Sequence, residues 1–108
     1  MNRRLVVNPE VDANLAYYYS RIILDKPEPA ERLLAVAGES FERLRETPEL
    51  GRRYESPHPR LRKLRFYPMP SPYRAYLIFY QVTPETVDIL SVVHGARDLD
   101  VVVRDMDF

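Results

Sequence analysis

Apolar positions recur along this chain in distinct rhythms, and each rhythm predicts a different element. Arg4-Leu5-Val6-Val7 is a short β-prone run closed by Asn8-Pro9. Asn is a favoured N-cap and Pro suits the first helical position, so a helix should begin there. Val11, Leu15, Tyr18, Tyr19, Ile22 and Ile23 follow at spacings of three and four, which marks one apolar face. Asp25-Lys26-Pro27-Glu28-Pro29 ends that helix and permits a second, whose stripe is Ala30, Leu33, Leu34, Ala37, Phe41 and Leu44. Thr47-Pro48 stops it. Two helices joined by a short proline-bearing turn read as an αα-hairpin.

The second half changes rhythm. Pro48, Gly51, Pro57 and Pro59 make residues 48–60 a loop. Leu61 to Tyr67 reads as a strand with Arg62, Lys63 and Arg65 set among Leu61, Leu64 and Phe66. Pro68-Met69-Pro70-Ser71-Pro72 must turn, since proline cannot donate to a sheet. Tyr73 to Tyr80 is apolar or aromatic at nearly every position, as in a strand covered on both faces. Thr83-Pro84-Glu85 turns the chain, and Val87 to Val93 returns as an antiparallel neighbour. Leu99, Val102 and Val103 suit the inner face of a last short helix, although Val101-Val102-Val103 fits a strand equally well. The order is βααβββ(α): an α+β, two-layer domain over residues 1–108, with an antiparallel sheet packed against an N-terminal αα-hairpin.

At 108 residues and 45% hydrophobic content the chain fits one compact domain. No apolar run approaches the roughly 18 residues of a membrane span, and no signal-peptide core follows Met1. Cysteine is absent, which excludes disulfides and thiolate chemistry and makes the cytoplasm the default location. The formal net charge of zero conceals an uneven distribution. Residues 1–50 carry −2, residues 51–80 carry +6 with Glu55 as their one acid, and residues 81–108 carry −4. That local excess, with Arg52, Arg53, Arg60, Arg62 and Lys63 at its centre, is the pattern of a target- or polyanion-binding surface. A solvated, charge-protected strand edge is the plainer alternative.

Val92-Val93-His94-Gly95-Ala96-Arg97-Asp98 places an imidazole and a guanidinium just past a core strand. Gly95 is the expected break, because glycine enters backbone regions closed to other residues. His94 carries an imidazole, a side chain suited to acid–base work, or it simply bonds backbone or Asp98 and fixes the turn. Arg97 and Asp98 suit an ion pair at the start of the last helix. His58 and His94 are the two histidines, and no spacing resembles a metal site; neither metal nor cofactor is expected. Three consecutive tyrosines, Tyr17-Tyr18-Tyr19, cannot all face one core, so at least one should be exposed.

In order and spacing, several segments resemble the RelE/ParE superfamily, the toxins of type II toxin–antitoxin modules. They are Pro9 at the first helix, Pro29-Ala30-Glu31-Arg32-Leu33, Thr47-Pro48-Glu49-Leu50-Gly51, Leu61-Arg62, Tyr73 to Tyr80, and Val87 to Asp98. The His-Gly-Ala-Arg-Asp ending is most similar to the ParE-like, plasmid-stabilisation branch. The resemblance implies a growth-inhibiting toxin neutralised by a cognate, ParD-like antitoxin in a hetero-oligomeric complex. ParE-like members block DNA gyrase by protein–protein contact, whereas RelE-like members cut mRNA on the ribosome. A third possibility is a toxin fold that retains antitoxin binding alone.

Metal-free RNA cleavage needs a base, an acid and cations for the phosphorane-like charge. Arg62, Lys63, Arg65, Arg74, His94 and Arg97 are the candidates for that enzymatic reading. Strand alternation would point Arg62 away from Lys63 and Arg65. The resemblance also implies a late tyrosine or histidine working beside an arginine in the nucleases. Residues 95–107 here are non-aromatic, which favours gyrase inhibition without catalysis. The antitoxin's C-terminal segment wraps the toxin in this family, and Leu15, Tyr18, Tyr19 and Ile22 are the expected contacts on the first helix.

Overall fold

The computed structural model describes residues 2–95 and 99–104. Strand β1 (Arg4–Val7) leads into helix α1 (Pro9–Ile23). The side chain of Asn8 accepts the Glu10 N–H at 2.9 Å, and Pro9 occupies the first turn where no donor is needed. Glu10 and Asp12 in the first turn and Arg21 in the last complement the helix dipole. Helix α2 (Pro27–Glu46) buries Ala30, Leu33, Ala37, Ser40, Phe41 and Leu44. Ser40 is tolerated inside because its hydroxyl donates to the Val36 carbonyl at 2.7 Å. Leu34, expected in this stripe, is 40% exposed: one position on from Leu33, it has rotated about 100° off the buried face.

After a 3₁₀ turn at Pro48–Leu50 come β2 (Arg52–Arg53), a second 3₁₀ turn at Pro59–Leu61, β3 (Arg65–Pro68), β4 (Tyr76–Val82), β5 (Thr86–His94) and α3 (Leu99–Arg104). Among the described residues five strands form one sheet in the order β1-β5-β4-β3-β2. The antiparallel meander β3-β4-β5 matches the sequence expectation, and β2 extends it. Strand β1 pairs parallel to β5, so the sheet is mixed. No hairpin joins β1 to another strand, so connection length could not reveal its partner. In place, Leu5 and Val7 pack on the core beneath the helices.

Three further boundaries differ. Residues 48–60 are not wholly loop, because Arg52–Arg53 pairs with β3. The strand expected from Leu61 begins only at Arg65, since Leu61 and Leu64 close a turn through the Leu64 N–H to Leu61 C=O bond of 3.1 Å. Similarly β4 begins at Tyr76, and Tyr73 sits in a turn with its hydroxyl donating to the Pro29 carbonyl at 2.7 Å. The last element is a helix.

Both faces of the sheet are covered. Val11, Leu33, Phe41, Ile78, Tyr80, Val87, Ile89 and Val92 belong to the core under the helical hairpin. Leu61, Leu64, Phe79, Leu90, Val93 and Val103 form a second cluster on the opposite face. Alternation along β5 is broken once. Tyr80 faces Ile89 while Phe79 faces Ser91, so Leu90 is an extra residue in β5. Val92 thereby returns to the helical face that Ile89 occupies, three residues on instead of two.

Candidate functional site

The bulge also reverses which backbone groups of β5 point toward β1. Strand β1 has ended by then, its last ladder contact being Asn8 N–H to Ile89 C=O at 2.9 Å. The polar groups of Val92 and His94 on this edge would be left unpaired, and α1 supplies partners instead. Asn14 Oδ1 accepts the Val92 N–H and the Ser91 hydroxyl, each at 3.0 Å. Tyr18 accepts the His94 N–H at 3.0 Å and donates its hydroxyl to the Val92 carbonyl at 3.2 Å. Two helix side chains therefore act as the missing strand.

Beside this seam runs an open groove of about 730 Å³. Ala13, Asn14, Tyr17, Tyr18 and Arg21 of α1 form one wall, and Tyr76 and His94 form the other. Tyr18 meets Tyr76 edge-on with centroids 5.0 Å apart, and Tyr76 meets the His94 ring at 5.1 Å and 87°. Tyr17 is 57% exposed at the rim, with the Arg21 guanidinium 5.8 Å from its ring centroid. Burial, and secondarily the neighbouring Tyr18 and Tyr73, push the Tyr76 phenol above its ordinary pKa. Aromatic walls with a cationic rim suit a peptide side more than a small charged metabolite.

Of the expected antitoxin contacts, Leu15, Tyr18 and Ile22 pack on the core and expose only part of themselves, as does Tyr19. Tyr17 is the outward member of the tyrosine triplet, as three successive helical positions require. Asn14 and Tyr76 were missed. Asn14 falls three residues after Val11 and four before Tyr18, so a polar residue inside an apolar stripe was the available signal. Gly95 does end the strand, yet it has no positive φ. Its N–H donates to the Ala75 carbonyl at 2.6 Å, and a Cβ there would lie 3.2 Å from that oxygen. Close approach, rather than an unusual backbone angle, accounts for the glycine.

The basic residues occupy another part of the molecule. Arg52 and Arg53 lie on the edge strand β2, while Arg60, Arg62 and Lys63 are exposed around the Pro59–Leu61 turn. Arg65 is half-buried, and its Nη1 donates to the Gly51 carbonyl at 2.7 Å. Arg74 borders a separate cleft with Arg43 and Tyr67. Because Arg62 and Lys63 sit in a turn, strand alternation does not decide their directions. His94 is three strands from Arg52 and three residues further along, on the order of 17 Å between backbones. Of the nuclease candidates, Arg62, Lys63 and Arg65 lie away from His94, whereas Arg74 precedes by two residues Tyr76, which pairs with His94. Arg97 and Asp98, with the ion pair expected between them, lie outside the described residues. Among the described residues no group of three His, Cys, Asp or Glu side chains is placed to hold a metal, and no helix is long and apolar enough to cross a membrane.

Tyr80, fully buried, joins the basic edge to the core. Its hydroxyl donates to the Pro48 carbonyl at 2.6 Å and accepts the Gly51 N–H at 2.9 Å. A Cβ on Gly51 would collide with the Tyr80 hydroxyl and lie 2.8 Å from the Phe66 carbonyl oxygen. Burial pushes the Tyr80 phenol above its ordinary pKa, partly offset by the Gly51 N–H and the nearby Arg65.

A solved structure from P. aeruginosa, described as a chromosomal ParDE TA system, superposes with a TM-score of 0.72. It is 18% identical and the match covers 86% of this chain and 96% of that one, a likeness of fold. The family model described as the ParE toxin of the type II toxin–antitoxin system parDE matches residues 5–99. The chain belongs to the ParE toxin family, and that membership implies a cognate antitoxin. Comparison with curated proteins gives no match.

Proposed function

We propose that this ParE-family toxin inhibits DNA gyrase by protein–protein contact and is held silent in the cytoplasm by a ParD-like antitoxin. Family membership over residues 5–99 carries the reading. The separation of His94 from Arg62, Lys63 and Arg65 supports a mechanism without catalysis. General acid–base cleavage of RNA requires its base, acid and cations within hydrogen-bond reach of one phosphate.

The antitoxin docks along α1. Tyr17 and Arg21 meet it first, Tyr18, Tyr19 and Tyr76 give it aromatic area, and Leu15 and Ile22 support the helix from the core side. Such a contact excludes water from a few large rings, which is where binding energy concentrates in protein interfaces.

The test pairs a gyrase supercoiling assay with an mRNA cleavage assay on translating ribosomes, using the full chain with and without its antitoxin. Loss of supercoiling, restored by antitoxin, is expected. Normal supercoiling with cleavage of ribosome-bound mRNA would refute the gyrase reading and make the chain an endonuclease. Failure of both assays alongside tight antitoxin binding would leave a toxin fold without either activity.

A further inference from the structure

The exposed basic edge takes no part in the groove or in the seam beside it. Arg52 and Arg53 extend from β2, and Arg62 and Lys63 project from the turn that precedes β3. Their backbone is fixed. Arg52 pairs with Phe66, Arg53 pairs with Arg65, and the Tyr54 N–H continues the ladder to the Leu64 carbonyl at 2.8 Å. Leu61 and Leu64, buried on the second face, anchor the turn from below. Consecutive residues of a strand point to opposite faces, so Arg52 and Arg53 wrap the sheet edge rather than cover one side.

Three observations indicate what this edge meets. First, among the described residues no carboxylate pairs with Arg52, Arg53, Arg62 or Lys63, whereas Arg45 pairs with Glu42 and Glu46. Second, Arg53 stands directly opposite Arg65, and like charges across a strand pair are destabilising. Third, the four residues are all exposed, and of the exposed large apolar side chains only Leu50, at the end of the turn before β2, flanks them, while Val6, Tyr17, Leu24 and Leu34 lie elsewhere. Protein interfaces exclude charge from their centres and gather aromatic residues there, whereas nucleic-acid interfaces are polar and strongly positive. The patch runs from the level of Phe66 to the turn, roughly 10–13 Å at strand rise. Phosphates follow one another by about 3.4 Å along the axis of one duplex strand, so three or four fall within that length.

We infer that Arg52, Arg53, Arg62 and Lys63 form a duplex nucleic-acid clamp that grips consecutive phosphates without reading sequence. The clamp is independent of the gyrase reading, since it binds with no gyrase present, and the two therefore fail separately. Guanidinium groups at three of the four positions suit bidentate phosphate contacts.

Fluorescence anisotropy with a labelled 24-base-pair DNA duplex and the full chain tests the inference, beside an RNA duplex of the same sequence and a poly-glutamate peptide. Four phosphate contacts predict a log–log salt slope of about −3.6, or roughly 150-fold weaker binding between 50 and 200 mM salt. The variant Arg52→Gln/Arg53→Gln/Arg62→Gln/Lys63→Gln should lose at least about thirtyfold in affinity, with its circular dichroism and melting curve retained. A control that removes four charges elsewhere, Arg4→Gln/Lys26→Gln/Arg32→Gln/Arg43→Gln, should keep within about threefold of the parent affinity. Binding of either duplex with these effects supports the clamp, and the preferred duplex identifies its source. Equal loss in both variants would reduce the effect to overall charge and overturn the assignment. Poly-glutamate binding as tight as either duplex would assign the edge to an acidic protein instead, and undetectable duplex binding at 50 mM salt would remove the proposal.

Discussion

Removing one oxygen, by Tyr80→Phe, tests whether the basic edge is held to the core by the two hydrogen bonds described above. The ring stays and its packing is unchanged, so the transfer term is small. What changes is that the Gly51 N–H and the Pro48 C=O lose a partner at 2.9 and 2.6 Å in a site closed to water. Each orphaned buried group costs about 1–3 kcal/mol, and partial relaxation of the exposed loop brings the pair to roughly 2–4 kcal/mol. For a chain of this size that corresponds to a melting temperature lower by roughly 10–20 °C. Differential scanning calorimetry gives the number. Hydrogen exchange gives the location, because protection should fall most at Gly51 and along β2. A melting temperature within about 3 °C of the parent, with the Gly51 amide still protected, would refute the claim that the hydroxyl is a structural bridge.

Other changes test neighbouring parts of the same reasoning. Because burial raises the Tyr80 and Tyr76 phenols, the folded chain keeps protons that the unfolded chain releases above pH ~10, so stability is intact below that pH and falls above it. In alkaline titrations followed by denaturant unfolding, the Tyr80→Phe chain should start less stable but decline less steeply. Gly51→Ala drives a methyl into Tyr80 and the Phe66 carbonyl, neither of which can retreat, and should destabilise by about 2–3 kcal/mol in urea unfolding. Asn14→Ala strips the Val92 N–H and the Ser91 hydroxyl of their acceptor and should cost about 1–3 kcal/mol, visible as faster exchange at Val92. Tyr17→Ala, at an exposed ring, should leave stability within about 1 kcal/mol while weakening antitoxin binding about tenfold by calorimetric titration.

The helical layer was legible because several independent signals agreed. Asn8-Pro9 opens α1, the spacing of Ala30, Leu33, Ala37, Phe41 and Leu44 defines the buried face of α2, and Thr47-Pro48 closes it. The β4–β5 hairpin was legible from its apolar density and its Thr83-Pro84-Glu85 turn. Where signals were shared between structures, the reading went astray. Leu61 and Leu64 are three apart, a spacing that suits a tight turn, yet Arg62 and Lys63 between them resemble the polar half of a strand. Strand β2 is only two residues long, both exposed arginines, and so has no hydrophobic pattern to recognise. The groove was least legible of all. Its walls come from α1 and from strands more than fifty residues later, and the bond that shapes it joins Asn14 to Val92 across 78 positions. No local pattern encodes a contact that depends on an extra residue in β5.

That extra residue gives the protein a built-in reporter. The amides of Val92 and His94 are held by Asn14 and Tyr18, which are also walls of the groove, so the residues that close the sheet are residues a partner would touch. Shared residues couple occupancy of the groove to opening of the strand end, an expectation that hydrogen exchange checks. A molecule seated against α1 slows proton exchange at these two amides and leaves distant ones, such as Asn8 bonded to Ile89, at their own rates. Two resonances in an exchange spectrum would then follow capture and release of the toxin without a label on either protein.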